Sequence, residues 1–395
     1  MYTTDLKLIP GCFPYPQGWE GLLAALPRKW LDGVEIRGLP GLFSDEEFAE
    51  ILDFWRTRRI AFVRQSACLN AYAPGTFPTW QDRVFSSRQH PGPISLLFEL
   101  RADFIVVCQD RDPETFLWRG KHLGDPDPEK TFHQMEARRL SQEALPGVVS
   151  CEEVDWDNYD LVVCLDVPVP ARITLQAPQT LWAYLSVEAG GPLQEESLKR
   201  LVKGYHFFLN HCSRKYRIRP LNRRHVLEFP YAFQSAAAWQ HLCDHAVENR
   251  SIRTGILIDQ ATAREVPSHE RSGMEVLGGE PRVPLAVRDM VALYAQHKYA
   301  VRTARFKRWG NWPVEVVQAG CLFLGRASSL DMKSCILPGL NVPDLESARR
   351  KIDELERNPD LFAAYRALQS TITEHVAFRR PLADLTAHAR RFFSS

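Results

Sequence analysis

Short apolar runs rich in β-branched and aromatic residues alternate with stretches of helical periodicity, and that alternation predicts parallel sheets joined by crossover helices. In the first half the runs are VEIRG from Val34, IAFVRQS from Ile60, ADFIVVCQ from Ala102, YDLVVCLDV from Tyr159 and LWAYLSV from Leu181, followed by YHFFLNH and HVLEFPYAF. Their interiors are apolar throughout, the pattern of strands covered on both faces. DEEFAEILDFWRTRR places Phe48, Ile51, Leu52 and Trp55 on one helical face and gathers acidic residues at its start, so it reads as a crossover helix. The polar, proline-containing stretch from 110 to 150 reads as an excursion from the sheet.

The second half repeats the alternation. The helical stretch SAAAWQHLCDHAVENR leads to the strands RTGILID and GMEVLGG, the helix VRDMVALYAQH, the strand KYAVRTA, the helix PVEVVQAG, the strand CLFLG and the helix LESARRKIDELERNP. The expected organisation is therefore α/β, with two doubly wound domains at 1–240 and 241–378. The segment 379–395 reads as an amphipathic helix carrying Leu385, His388 and Phe392 on one face, whose apolar side needs a partner.

Composition narrows the function classes. A chain of 395 residues is long enough for two domains. Its 49 Lys and Arg nearly balance 48 Asp and Glu, which removes the overall basic footprint of a general nucleic-acid binder, so any anion site has to be local. Neither a leader nor a membrane-length apolar run is legible, and the expectation is a soluble cytoplasmic protein. The nine cysteines include no CxxC pair and sit in apolar contexts such as LVVCLD, as small buried hydrophobes do. His241, Cys243 and His245 approach a helical metal spacing but lack HExxH, and a polar helix face is the simpler reading.

The stretch HKYAVRTARFKRWGNWPVEVVQAGCLFLG, residues 297 to 325, carries the chemistry: strand, basic loop, helix, strand. Gly310 and Asn311 supply a tight turn, and Pro313 starts a helix without wasting an N–H. The helix amino end, beside Lys298, Arg302, Arg305, Lys307 and Arg308, is suited to phosphate. Glu315, in the first turn, is placed either to complement the helix dipole or to accept both hydroxyls of a ribose.

The pattern GNWPVEVVQAGCLFLG is similar to the donor-domain region of GT-B glycosyltransferases, Gly-x-x-x-x-Glu-Ala-x-x-x-Gly, and LPGLNVPDLESARRKIDELERNPDLFAAY resembles the family's closing segment. The resemblance implies two Rossmann-like domains facing across a cleft, the helix of 379–395 packed back toward the N-terminal domain, a nucleoside-diphosphate sugar as donor, and Glu315 on its ribose, with Gly310 and Gly320 as the flanking glycines. It implies sugar transfer to a small-molecule, glycan or glycoconjugate hydroxyl, with no cofactor and no metal. Many retaining members carry a second glutamate eight positions earlier, where this chain has Lys307. The basic loop looks more like that of exostosin-like or fucosyltransferase-like donor domains, so neither stereochemical outcome follows.

YDLVVCLDVPVPARI resembles the acceptor-domain strand and loop, which makes Asp166 the candidate general base and Glu188, in SVEAGGP, the second candidate. An ordinary turn aspartate is the plainer account of Asp166. Asp110 and Asp112 resemble the metal-binding Asp-x-Asp of the single-domain GT-A class, a reading that leaves the basic loop unexplained. Trp118, Trp182 and Tyr184 are either sugar-stacking or core residues. Two other functions fit the same architecture: a nucleotide-sugar epimerase, and a nonenzymatic carbohydrate-binding or scaffold protein.

Overall fold

The structure is a computed structural model that describes residues 45–65, 79–85, 91–107, 148–165, 169–186, 204–210, 226–247, 252–279, 285–305, 311–330 and 336–394. The chain divides into two compact units. The N-terminal unit runs from Ile51 to Phe233 and takes up the chain again from Pro381; the C-terminal unit is Gln234–Arg380 with the described residues up to Glu50.

In the N-terminal unit seven strands form one sheet: β1 (Ile60–Gln65), β2 (Asp103–Val107), β3 (Val148–Val149), β4 (Leu161–Leu165), β5 (Leu181–Ser186), β6 (Phe207–Asn210) and β7 (Val226–Glu228). All pairings are parallel, in the order β3-β2-β1-β4-β5-β6-β7. The chain adds strands outward from β1 on one side, then returns to lay β4 against the other side of β1, with Ala61 opposite Val162 and Val63 opposite Cys164. That is the doubly wound order, which reverses between β1 and β4. Every side chain of β4 is buried, which explains its unbroken apolar sequence.

One face of this sheet packs an aromatic cluster of Trp156, Trp182, Tyr184, Tyr205 and Phe208 against Ala61, Val63 and Cys164. Burial obliges each polar ring atom to find a partner. Trp156 Nε1 donates to the Cys151 carbonyl at 2.8 Å, Trp182 Nε1 to that of Ala177 at 3.2 Å, and the Tyr205 hydroxyl to that of Val169 at 2.8 Å. Trp182 and Tyr184 are thus core residues and present no ring to a sugar. Four cysteines, Cys151, Cys164, Cys243 and Cys321, are buried free thiols, and burial raises that of Cys164 to about 11.

The helices, in chain order, are α1 (Asp45–Arg56), α2 (Trp80–Phe85), α3 (Ser95–Phe98), α4 (Ala171–Thr174), α5 (Ala236–Ala246), α6 (Gln260–Glu265), α7 (Val287–Gln296), α8 (Asn311–Gln318), α9 (Leu345–Glu356), α10 (Pro359–Glu374) and α11 (Arg380–Phe393). Phe48 and Trp55 of α1 are buried, as its apolar stripe demands. From Pro381 onward α11 belongs to the N-terminal unit: Trp55 Nε1 donates to Thr386 Oγ1 at 2.7 Å, the rings of His388 and Phe207 are 5.5 Å apart, and those of Phe392 and His206 4.6 Å.

The C-terminal unit holds a second parallel sheet of β8 (Thr254–Ile258), β9 (Met274–Val276), β10 (His297–Arg302) and β11 (Leu322–Gly325), in the order β9-β8-β10-β11. A parallel bridge from Gly325 to Asn341 adds a rudimentary fifth position. Counted within the unit, the order is 2-1-3-4-5, with the reversal between β8 and β10. Both units are therefore α/β with doubly wound parallel sheets, the class that the alternating pattern predicts. Gly320 at φ +100° ends α8, with Gly320 N–H bonded to Val317 O and Cys321 N–H to Val316 O, a Schellman cap that turns the chain into β11. The Gln369 amide of α10 bonds both the N–H and the carbonyl of Phe323 at 2.8 Å and so satisfies backbone groups of β11 as a neighbouring strand would.

Thr386→Val removes the acceptor of the buried Trp55 N–H and is expected to lower stability by about 1–3 kcal/mol, the cost of an unmet buried donor. Urea unfolding should report that loss, and adding Trp55→Phe should cost less than it does in the wild type because the shared bond is already gone.

Candidate functional site

Open parallel sheets bind ligands beyond the carboxyl ends of their strands where the order reverses. In the C-terminal unit that place is the pair of exits from β8 and β10. β8 ends at Ile258, followed by Asp259; β10 ends at Arg302. Asp259 is the N-cap of α6, its Oδ1 accepting from Thr262 N–H at 2.9 Å, while Oδ2 accepts from Arg302 Nη1. Both partners of this ion pair are buried. Across β10, Gly325 sits so close that a Cβ there would lie 2.8 Å from the Arg302 carbonyl oxygen, so only glycine leaves the strand end in place.

The exit of β10 is bonded throughout to α6. Thr262 Oγ1 accepts from the N–H groups of Thr303 at 3.0 Å and Ala304 at 3.4 Å, and the Glu265 carboxylate accepts from Arg305 N–H at 2.9 and 3.1 Å. Arg305 itself is exposed. The sequence analysis passed over Asp259, Thr262 and Glu265. Their signal was present in IDQATARE, a strand-ending aspartate followed by Thr and Glu at intervals of three, which shares one helix face.

The structure brings Arg302 and Arg305 to this edge and leaves Lys298 elsewhere. Lys298 lies at the amino end of β10, about 13 Å along the strand from Arg302 at ~3.3 Å per residue. There it pairs with Glu356 at 2.7 Å and lies 4.5 Å from the centre of the Phe362 ring. It is corrected from a phosphate ligand to a residue of the opposite edge, because strand position separates it from the exits. Arg302 is at the right edge, but its guanidinium is engaged by Asp259. Lys307, Arg308 and Gly310 lie outside the described residues, as do Asp166, which follows the last residue of β4, Glu188, Asp110, Asp112 and Trp118.

Asn311 opens α8, two residues before the start at Pro313 that the sequence suggested. Glu315 is completely buried and accepts from the Tyr294 hydroxyl at 3.3 Å; burial, with this carboxylate beside it, pushes the tyrosine well above its ordinary pKa. Gln318, one turn on, donates to Glu374 Oε2 at 3.1 Å, and the same oxygen accepts from Ala236 N–H at 2.7 Å at the start of α5. Burial raises the Glu374 carboxyl above its ordinary value. The inner face of α8 is thus fastened by polar bonds as well as by Val314 and Val317.

Two open grooves of about 530 and 520 Å³ flank β9, and neither is lined by Arg302 or Arg305. Among the described residues no group of three or more His, Cys, Asp and Glu side chains is placed to hold a metal ion, and no helix is long and apolar enough to cross a membrane. On α5, His245 Nδ1 lies 2.8 Å from the His241 carbonyl oxygen, and Cys243 is buried.

No family model matches the chain, and no curated protein does. Solved structures similar to it include a UDP-N-acetylglucosamine 2-epimerase, at 13% identity over 84% of this chain and 95% of that one, with a TM-score of 0.41. A DNA-modifying β-glucosyltransferase is similar at 11% identity over 85% and 100%, with a TM-score of 0.43, and S. aureus MnaA bound to UDP at 10% identity over 85% and 97%, with 0.37. Likenesses of this depth assign no activity.

Asp259→Asn keeps the cap of α6 but strands the Arg302 charge in the interior, and is expected to cost about 3–5 kcal/mol. Adding Arg302→Met should recover most of that loss by removing the stranded charge. Denaturant unfolding of the two variants beside the wild type checks both signs.

Proposed function

We propose that the protein is a glycosyltransferase that holds a nucleoside-diphosphate sugar on its C-terminal unit and transfers the sugar to a hydroxyl-bearing acceptor. The observation that carries this reading is the reversal of strand order between β8 and β10, at whose carboxyl edge a basic segment, Arg302 to Arg308, leads into the amino end of α8. Exposed N–H groups, the positive end of a helix and cationic side chains together favour a diphosphate. The same charges stabilise the leaving group as the sugar–oxygen bond to the diphosphate breaks. The new bond forms from the acceptor oxygen, whose proton passes to a carboxylate, and Asp166, next after the buried strand β4 at the reversal of the N-terminal sheet, is the base we assign. Glu188 is the alternative base. Glu315 is assigned to the donor ribose, a role that requires its carboxylate to exchange Tyr294 for the ligand. Lys307, Arg308, Gly310 and Asn311 complete the phosphate side, without a metal.

Thermal shift against UDP, GDP, ADP, CDP and dTDP identifies the donor class, since a ligand bound only by the folded state raises the melting temperature. No shift with any of them refutes the reading, and isomerised sugar from donor alone would replace it with epimerisation. With the donor identified, Glu315→Gln is expected to weaken diphosphate binding by about 1–3 kcal/mol. Unchanged affinity with a lowered melting temperature would assign Glu315 to the core alone. Asp166→Asn should preserve donor affinity and lower turnover roughly 10²–10⁴-fold. Turnover should survive EDTA; its loss, restored by magnesium or manganese, would return the chemistry to Asp110 and Asp112.

A further inference from the structure

Among the described residues no strand neighbours the chain past the end of β10 to satisfy its N–H groups, although Thr303 and Ala304 are buried. One face of α6 supplies what the sheet does not. Asp259 takes the Arg302 guanidinium, the Thr262 hydroxyl takes the N–H groups of Thr303 and Ala304, and Glu265 takes the N–H of Arg305. Three side chains spaced by three thus hold Arg302 through Arg305 in one fixed path. Arg302 spends its charge inside the protein. Arg305 is the first basic residue of the segment whose backbone is anchored and whose side chain is exposed.

We propose that Thr262 and Glu265 are positioning residues which fix the backbone from Thr303 to Arg305, and that Arg305 is the first residue of this path to contact the donor diphosphate. This assignment rests on the donor-site reading above and specifies which residues of that site act directly. A cation on a free loop pays ordering entropy whenever it closes on an anion, whereas one with an anchored backbone has only its side chain left to order. Preorganised charge is also what a developing diphosphate anion requires. Glu265 carries a negative charge of its own toward this edge, so replacing it alters both position and field. Thr262 is uncharged, and its substitution alters position alone.

The test is a double-mutant cycle on the full chain, with inorganic pyrophosphate as probe and calorimetry as readout. Thr262→Val preserves shape and removes the acceptor; Thr262→Ser retains it. Thr262→Val and Arg305→Gln are each expected to weaken binding about tenfold, the scale of one charge-assisted hydrogen bond, and Thr262→Ser to stay near wild type. The double variant Thr262→Val with Arg305→Gln should be no weaker than Arg305→Gln alone, because the hydroxyl acts through that arginine. Additive losses in the double variant, or wild-type affinity in Thr262→Val, overturn the proposal while leaving the donor site standing. Wild-type protein that binds neither pyrophosphate nor any nucleoside diphosphate overturns the donor site itself. Should Thr262→Val fail to fold, Thr262→Ala takes its place in the same cycle, and non-additivity with Arg305→Gln is again the expected result.

Discussion

A guanidinium cannot remain in a protein interior without a counter-charge, and the C-terminal sheet is arranged around that requirement at Arg302. The arginine ends β10, so its partner has to stand at the end of an adjacent strand, and Asp259 does so only because β8 and β10 are parallel and in register. The same aspartate caps α6, which fixes the rotation of that helix and so directs Thr262 and Glu265 at the chain leaving β10. On the other side Gly325 keeps β11 close. One ion pair thereby ties together the register of β8 and β10, the orientation of α6 and the path of the chain from Arg302 to Arg305.

Much of the fold was legible because its strands carry apolar interiors. The runs at Ile60, Ala102, Tyr159, Leu181 and Arg253 each contain a strand of the structure, and the clearest, β4, is buried at every position, so no polar alternation blurs it. Strand β3 escaped because two valines have no periodicity to read. Helix α10 was passed over, although Asn358 and Pro359 carry the amino-terminal signal of this 16-residue helix, with Asn358 as its cap.

The site was less legible, for a reason that lies in strand position. Lys298 and Arg302 look alike in KYAVRTA, but a strand has two ends, and charge counting along a sequence does not distinguish them. Only the register with β8 and β11 shows that Arg302 lies at the carboxyl edge of the sheet and Lys298 toward the amino edge. Glu315 makes the complementary point. A glutamate in the first turns of a helix suits the dipole and suits a ribose, and whether it faces a ligand depends on Tyr294, twenty-one residues earlier on another helix. Asp259 and Glu265 were hidden because acidic residues draw no notice beside an expected anion site, although they hold its cations in place.

The bond between Trp55 and Thr386 joins residues 331 positions apart within a single unit. Protein synthesis proceeds from the amino end, so the N-terminal sheet is complete long before α11 emerges. Until α11 leaves the ribosome, Trp55, His206 and Phe207 lack the partners it supplies. The nascent N-terminal unit therefore waits, through the synthesis of the whole C-terminal unit, with apolar surface uncovered, and its folding is closed from the far end of the chain. A chain that stopped before Pro381 would lack the helix that covers Trp55, His206 and Phe207 in the first unit.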